Sequence, residues 1–284
     1  MFRTKTWPLV ASSDVYNDIV PWLKENRCPF MYGDDILKTA NIFGIYRSIC
    51  NGQAFSYEGD FKDGKPHGQG KLTWSDGEVY EGRWKDDLRH GQGKYTYANG
   101  EMYEGEWKKN EQCGQGKYKW ANGEVYEGAW KNDKRSGPGK YTYTNGVIFQ
   151  GHWIDDEAQP NGTQTWPNGD FYEGNFKIID NPHNNNNVID KRHGNGKCVY
   201  ANGAIYSGEW CNDMRHGYGT QTYPDRRVYI GQWRNDKCHG EGQLSYSNGR
   251  VYFGQWTNNK IYGEGQLTYD GRIYQCLNAK VKKL

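Results

Sequence analysis

From Gly91 the chain alternates ring-bearing and polar positions around a turn: Gly91-Gln92-Gly93-Lys94-Tyr95-Thr96-Tyr97-Ala98-Asn99-Gly100-Glu101-Met102-Tyr103-Glu104-Gly105-Glu106-Trp107. Alternation is the two-residue period of a half-buried strand. Asn99-Gly100 between two such runs marks a hairpin. The loop length decides which rings share a face. A two-residue loop sets Thr96 opposite Tyr103 and scatters the aromatics over both faces. A three-residue loop, closed by Gly100 in the left-handed region, sets Tyr95 opposite Tyr103 and gathers Tyr95, Tyr97, Tyr103 and Trp107 together. We take the three-residue loop, and the other face then pairs Lys94 with Glu104.

The unit recurs. Its Tyr stands at Tyr57, Tyr80, Tyr103, Tyr126, Phe149, Tyr172, Tyr206, Tyr229 and Tyr252, with a degenerate tenth at Tyr274. The step is 23 residues, except 34 between Tyr172 and Tyr206 and 22 at the end. A fixed short period makes each unit one supersecondary element stacked on its neighbours. The turn dipeptide recurs as Asp76-Gly77, Asn122-Gly123, Asn145-Gly146, Asn168-Gly169, Asn202-Gly203, Asn248-Gly249 and Asp270-Gly271. Only Asp225-Arg226 departs, where a positive φ costs a residue with a Cβ. Glycines at Gly91, Gly93 and Gly105 indicate close approach of neighbouring hairpins, or room for a ring. They are not a phosphate loop, since no Lys-Ser/Thr opens a helix after them.

These residues resemble MORN repeats, whose pattern Tyr-Glu-Gly-x-Trp, Gly-x-Gly, Asn-Gly runs almost intact through Tyr80 to Gly100. The resemblance covers roughly residues 57 to 276. It implies a mostly β fold: an elongated single-layer antiparallel β-sheet solenoid of stacked hairpins over residues 53–284. It also implies a scaffolding role at membranes, cytoskeleton or cilia, or an appendage of another enzyme, with no catalysis by the repeats.

Composition agrees with one layer. Hydrophobic residues are only 35%, while aromatics reach 15% and glycines number 38, so rings and glycines take the place of an aliphatic interior. The net charge is +2, and dividing the chain at Ser56 leaves +1 on either side. Neither part has the basic excess of a nucleic-acid binder or of simple electrostatic attachment to anionic lipid. A stereospecific lipid headgroup site stays open. Seven scattered cysteines without Cys-x-x-Cys, no signal peptide and no apolar run of 18 residues indicate an intracellular, cytoplasmic protein with free thiols.

Residues 1–52 lack the repeat and form an α-helical head. Ser12, Ser13 and Asp14 start a helix with Val15, Ile19, Trp22 and Leu23 on one face, and Pro21 bends or splits it. Asp34 or Asp35 caps a second, with Ile36, Leu37, Ala40, Phe43, Tyr46 and Ile49 as its apolar side. One reading is a cap for the open edge of the first hairpin. The other follows a resemblance: the run from Asp35 to Cys50, with Asp14-Val15, Ile19-Val20 and Leu23, is similar to an F-box. That resemblance implies that Val15, Ile19, Leu23, Ile36 and Leu37 face a Skp-type adaptor of a cullin ubiquitin ligase, with Tyr46 where that family carries Trp.

Along the array the Lys/Glu face decays. Lys71–Glu81, Lys94–Glu104 and Lys117–Glu127 are intact, then Lys140 faces Gln150, Thr163 faces Glu173 and Lys197 faces Ser207. Finally Thr220 faces Ile230 and Gln243 faces Phe253, so Ile230 and Phe253 are a candidate partner-binding patch, set against the fact that scattered surface apolars are ordinary. The extra residues near 178–190, rich in Asn, read as a mobile loop. His67, His90, His193, His216 and His239 read as turn residues. One repeat apart is roughly 9–10 Å, beyond the reach of a shared zinc at about 2.0–2.1 Å per ligand.

No catalytic constellation, metal set or cofactor motif emerges, and the chain reads as a non-enzyme. The leading expectation is an adaptor whose array binds a protein partner and whose head recruits the ligase. The alternative is a structural scaffold at a membrane or cytoskeleton, with the head only a cap. A regulatory fragment of a lipid kinase is a weaker third.

Overall fold

The computed structural model describes residues 42–50, 52–180, 187–278 and 280–282. All its regular elements there are strands. The chain forms two compact units that divide in the sequence between Gly139 and Lys140. The first holds β1 (Ile42–Cys50), β2 (Gln53–Lys62), β3 (Lys65–Trp74), β4 (Val79–Lys85), β5 (Leu88–Thr96), β6 (Met102–Lys108), β7 (Glu111–Lys119) and β8 (Val125–Lys131), and the boundary falls inside β9 (Lys134–Thr142). The second holds β10 (Ile148–Ile154), β11 (Glu157–Thr165), β12 (Phe171–Asp180), β13 (Asn187–Val199), β14 (Ile205–Cys211) and β15 (Met214–Thr222). It continues through β16 (Val228–Arg234), β17 (Lys237–Ser245), β18 (Val251–Thr257), β19 (Lys260–Tyr269), β20 (Arg272–Leu277) and β21 (Lys280–Lys282). From β1 to β8, and from β10 to β21, each strand pairs antiparallel with the next in the chain.

The expected parity holds. Tyr95 stands opposite Tyr103 and Lys94 opposite Glu104. Tyr97 N–H donates to the Glu101 carbonyl at 2.9 Å and Gly100 N–H to the Tyr97 carbonyl at 2.9 Å. Gly100 has φ 84°, which closes the three-residue loop. Arg226 takes the corresponding place with φ 68°.

The repeat Tyr is the centre of each unit's packing. Tyr80 is fully buried, with Trp84 and Trp107 edge-on at 5.0 and 5.5 Å, and Tyr103 has the same relation to Trp107 and Trp130 at 5.1 and 5.3 Å. Each such pair adds about 0.5–1.5 kcal/mol beyond area burial. The hydroxyl reaches across two glycines: a Cβ on Gly93 would collide with the Tyr80 ring, and one on Gly82 with the Gly93 backbone. Both readings of the glycines, close approach and room for a ring, are therefore realised. Tyr80 OH donates to the Arg83 carbonyl at 2.9 Å, and Trp107 Nε1 to the Gly93 carbonyl at 3.0 Å. These ring tips are thus satisfied, whereas Trp74 Nε1 and Tyr252 OH are buried without a hydrogen-bond partner.

The polar linkers are two-residue turns. Asp86 and Asp87, Lys109 and Asn110, Asn132 and Asp133, Asn212 and Asp213, Asn235 and Asp236, and Asn258 and Asn259 all have positive φ at both positions, the geometry of a type I′ hairpin turn. The second turn residue also joins consecutive repeats. Asn110 N–H donates to the Arg89 carbonyl at 3.1 Å, while its Oδ1 accepts from Arg89 N–H at 2.8 Å. Asp133 with Gln112, Asp213 with Arg192, Asp236 with Arg215 and Asn259 with Cys238 repeat this reciprocal bond.

Several expectations are corrected. The helix expected after Asp35 is absent from residues 42–50, which form β1, registered with Tyr46 opposite Tyr57 and Gly44 opposite Gly59. Ile42-Phe43-Gly44-Ile45-Tyr46 is rich in β-branched and aromatic residues, and pairing satisfies the open edge of β2. The cap is a strand here, and the α-helical head is not supported. The flanks of the 178–190 insertion lengthen a hairpin, with Ile178 opposite Ile189 and Ile179 opposite Val188. The apolar residues on either side of the Asn run pair there, whereas a loop was expected. The histidines lie within strands β3, β5, β13, β15 and β17, because the tight turns end before them. Cys50 is disulfide-bonded, against the expectation of free thiols, while Cys113, Cys198, Cys211, Cys238 and Cys276 are free. Sequence spacing alone carries no signal for the first.

Two stability outcomes follow. Trp107→Ala removes a ring held between Tyr80 and Tyr103 and costs about 3–5 kcal/mol in urea unfolding, whereas Glu104→Gln on the other face costs under about 1 kcal/mol; a reversed ranking would show the faces to be misassigned. Arg226→Gly relieves about 1–2 kcal/mol of left-handed strain against about 0.4–1 kcal/mol of added unfolded-state entropy, so the unfolding midpoint rises slightly. A lower midpoint would show that the Arg226 side chain contributes more than its backbone costs.

Candidate protein-docking face

Strand alternation sends the residue after each repeat Tyr to the face opposite the rings. In the first unit these residues make one row across the strands: Glu58, Lys71, Glu81, Lys94, Glu104, Lys117 and Glu127, each registered with the next. Opposite charges alternate, and Lys71–Glu81 and Lys117–Glu127 close to 3.9 and 2.8 Å. Such exposed pairs contribute little stability but keep the face hydrated.

The corresponding row of the second unit keeps Glu173 opposite Lys197 and then loses its charges. Ser207 is opposite Thr220, Thr220 opposite Ile230, Ile230 opposite Gln243 and Gln243 opposite Phe253, after which the row continues through Gln266 to Gln275. Ile230 and Phe253 therefore flank a single residue, Gln243, across β16–β17–β18. Ile230 is half-buried and Phe253 is 52% exposed. The neighbouring row on the same face is also uncharged, running Ile205, Thr222, Val228, Ser245, Val251 and Thr268. The spacing of Ile230 and Phe253 was legible in the sequence. So was Gln243 facing Phe253, whereas the second uncharged row was missed, although the two-residue period carried it.

Under this face lies a buried aromatic and cationic layer. Arg215 donates through Nε to Asp236 Oδ1 at 3.0 Å and through Nη1 to Gln221 Oε1 at 2.8 Å, and its guanidinium sits 4.3 Å from the Trp233 ring centre. Arg192 makes the same arrangement with Asp213 and Trp210, at 3.1 and 4.3 Å. Burial pushes the Cys198 and Cys238 thiols up, so neither is an activated nucleophile. Burial, with Cys198 as the next cause, pushes the Tyr200 hydroxyl up to about 12, and burial, with Cys238 next, does the same for Tyr223.

Among the described residues no group of three His, Cys, Asp or Glu side chains is placed to hold a metal ion, and no helix is long and apolar enough to cross a membrane. Of the residues expected to meet a Skp-type adaptor, Val15, Ile19, Leu23, Ile36 and Leu37 lie outside the described residues. Tyr46 is on strand β1, its ring centre 6.0 Å from that of Phe55. It stands on no helix face, so the part of the F-box resemblance over 42–50 loses its structural basis.

Hairpins of one aromatic face, repeated with fixed loops and stacked by neighbour-to-neighbour bonds, define an open antiparallel β-repeat protein. The MORN repeat model matches nine segments: 57–79, 80–102, 103–125, 126–148, 149–171, 189–205, 206–226, 229–249 and 252–271. The chain belongs to the MORN-repeat family. No curated protein matches it. Similar solved structures include the TCP10 domain of Danio rerio CPAP in complex with a peptide of Danio rerio STIL, with 14% identity over 77% of this chain and 94% of that chain, TM-score 0.42. Another is the SAS-4 TCP domain of Drosophila melanogaster with a proline-rich motif of Ana2, with 12% identity over 73% and 88%, TM-score 0.27.

The buried tyrosines give a pH dependence with a definite sign. Tyr200 and Tyr223 hold their protons more tightly folded than unfolded, where the ordinary value is 10.0. Their contribution is complete below pH about 10 and is lost as pH rises towards about 12, because the unfolded chain ionises first. Thermal unfolding between pH 8 and about 12 should show a plateau followed by a fall. A stability constant through pH about 12 would contradict the burial of these hydroxyls.

Proposed function

We propose that this chain is a non-catalytic protein-binding platform whose second unit docks a partner on the face opposite the rings. The observation that carries the reading is the replacement of the alternating Lys/Glu row by Ser207, Thr220, Ile230, Gln243 and Phe253. Fold and turn geometry are unchanged between the two rows, so folding does not require the substitution. An uncharged strip with one exposed aromatic loses little hydration when covered, and aromatics are enriched at the centres of interfaces. The partner presents a largely uncharged surface, since a charge against Phe253 would be desolvated without a counterpart.

Recruitment of a ubiquitin ligase by the head is not carried further, because residues 42–50 form a strand and the other head residues lie outside the described ones. The reading is tested by Ile230→Lys/Phe253→Glu, which restores the charged pattern of the first unit. Thermal unfolding should shift by no more than about 0.5 kcal/mol per site, while affinity capture from cells loses the proteins held by the wild type. The control, Lys94→Glu/Glu104→Lys, keeps them. Identical capture by all three would return Ile230 and Phe253 to the ordinary scatter of surface apolars.

A further inference from the structure

The three-residue loops carry charges that their own geometry does not require. The residue after the turn glycine is Glu78, Glu101 and Glu124 in the first unit. In the last turns of the second unit the corresponding residues are Arg227, Arg250 and Arg272, the last of them after a two-residue turn in which Tyr269 is opposite Arg272. Between them the position holds Val147, Asp170 and Ala204, and the backbone bonds persist: Tyr143 N–H donates to the Val147 carbonyl at 2.9 Å, Trp166 N–H to the Asp170 carbonyl at 2.9 Å and Tyr200 N–H to the Ala204 carbonyl at 2.9 Å. The Tyr246 N–H bond to the Arg250 carbonyl, at 2.8 Å, is the same bond. An uncharged residue closes the turn as well as a charged one, so turn chemistry alone does not account for either cluster.

Two members of each cluster are held in place. Glu78 accepts from Tyr95 OH, and Glu101 from Tyr118 OH at 2.6 Å. Arg227 lies 5.1 Å from the Tyr223 ring centre with Nε donating to Asp225 Oδ2 at 2.7 Å, and Arg250 lies 4.7 Å from the Tyr269 ring centre. Arg250 and Arg272 are exposed, and Arg227 is partly so. The acids follow one another at one-repeat steps, and so do the bases, with the final step one residue shorter. A repeat advances two strands, about 9–10 Å. An acidic column on one molecule and a basic column on another therefore have matching pitch and opposite sign.

We propose that the chain associates with a second copy of itself through these loops, Glu78, Glu101 and Glu124 of one molecule facing Arg227, Arg250 and Arg272 of the other. Exposed pairs are individually weak and screened by salt, so the contact depends on three in register and dissociates at high ionic strength. Groups already fixed by rings and local bonds lose less side-chain entropy on pairing.

Sedimentation velocity of the full chain tests this at about 50 mM and about 500 mM salt. The wild type should associate at low salt and need at least tenfold higher concentration at high salt. Arg227→Glu/Arg250→Glu/Arg272→Glu has both loop clusters acidic, and Glu78→Lys/Glu101→Lys/Glu124→Lys has both basic. Each alone should be monomeric, and an equimolar mixture should recover the complex. Circular dichroism checks that both variants fold. If the second variant fails through loss of the Tyr95 and Tyr118 bonds, the arginine variant and the wild-type salt dependence decide. A wild type that stays monomeric at about 100 µM in low salt overturns the proposal, as do an arginine variant that associates like the wild type and two folded variants that fail to combine. Binding of the arginine loops to some other acidic protein would leave the wild type monomeric and counts against it.

Discussion

Among the described residues the sheet has no second layer, so its rings are buried against their own neighbours, and the edge-on contact between the repeat tyrosine and two flanking tryptophans meets that constraint. Tyr103 is enclosed by Trp107 of its own strand and Trp130 of the next repeat, so no repeat completes its own core. The glycines follow from this contact. Gly105 and Gly116 lie where a Cβ would enter the Tyr103 ring or its hydroxyl, and the backbone can approach only where side chains are missing. Most repeat Tyr OH and Trp Nε1 groups then find backbone carbonyls, as Tyr103 and Trp130 do, while Tyr252 OH and Trp74 Nε1 are buried without a partner.

Because the core is assembled repeat by repeat, the turns act as joints as well as reversals. The type I′ turns demand positive φ at two adjacent residues, and Asn and Asp tolerate it best among residues with side chains. The same Asn110 or Asp236 side chain accepts a bond from the preceding repeat. Local backbone preference and inter-repeat adhesion therefore select the same residue types. Where the partner residue is arginine, its guanidinium also covers a tryptophan, as Arg89 does Trp107 at 4.1 Å.

With stability held on the ring face and at the turns, the opposite face and the three-residue loops are free to vary. The first unit uses that freedom for an alternating Lys/Glu row, and the second, beyond Glu173 and Lys197, for an uncharged one. The loops likewise change from glutamate to arginine without changing the turn. A docking role for Ile230 and Phe253 rests on this contrast within one chain, since both units obey the same packing rules and differ only where packing makes no demand.

The period, the loop length, the hairpin parity and the ring face were all legible in the sequence, because each is a local consequence of strand alternation and turn stereochemistry. So was the placement of Ile230 and Phe253 on one face. Other features required tertiary structure. Residues 42–50 have an apolar pattern that a helix also accepts, and the unpaired edge of β2 made them a strand. The Asn-rich insertion hid a hairpin extension, because Ile178 and Ile189 are separated in sequence by the run they bracket. The clip between Asn110 and Arg89, 21 residues apart, has no local signature until the repeats stack. Sequence by itself settled what neighbours along a strand do, and stacking decided which residues from different repeats meet, since that depends on distances no single repeat contains.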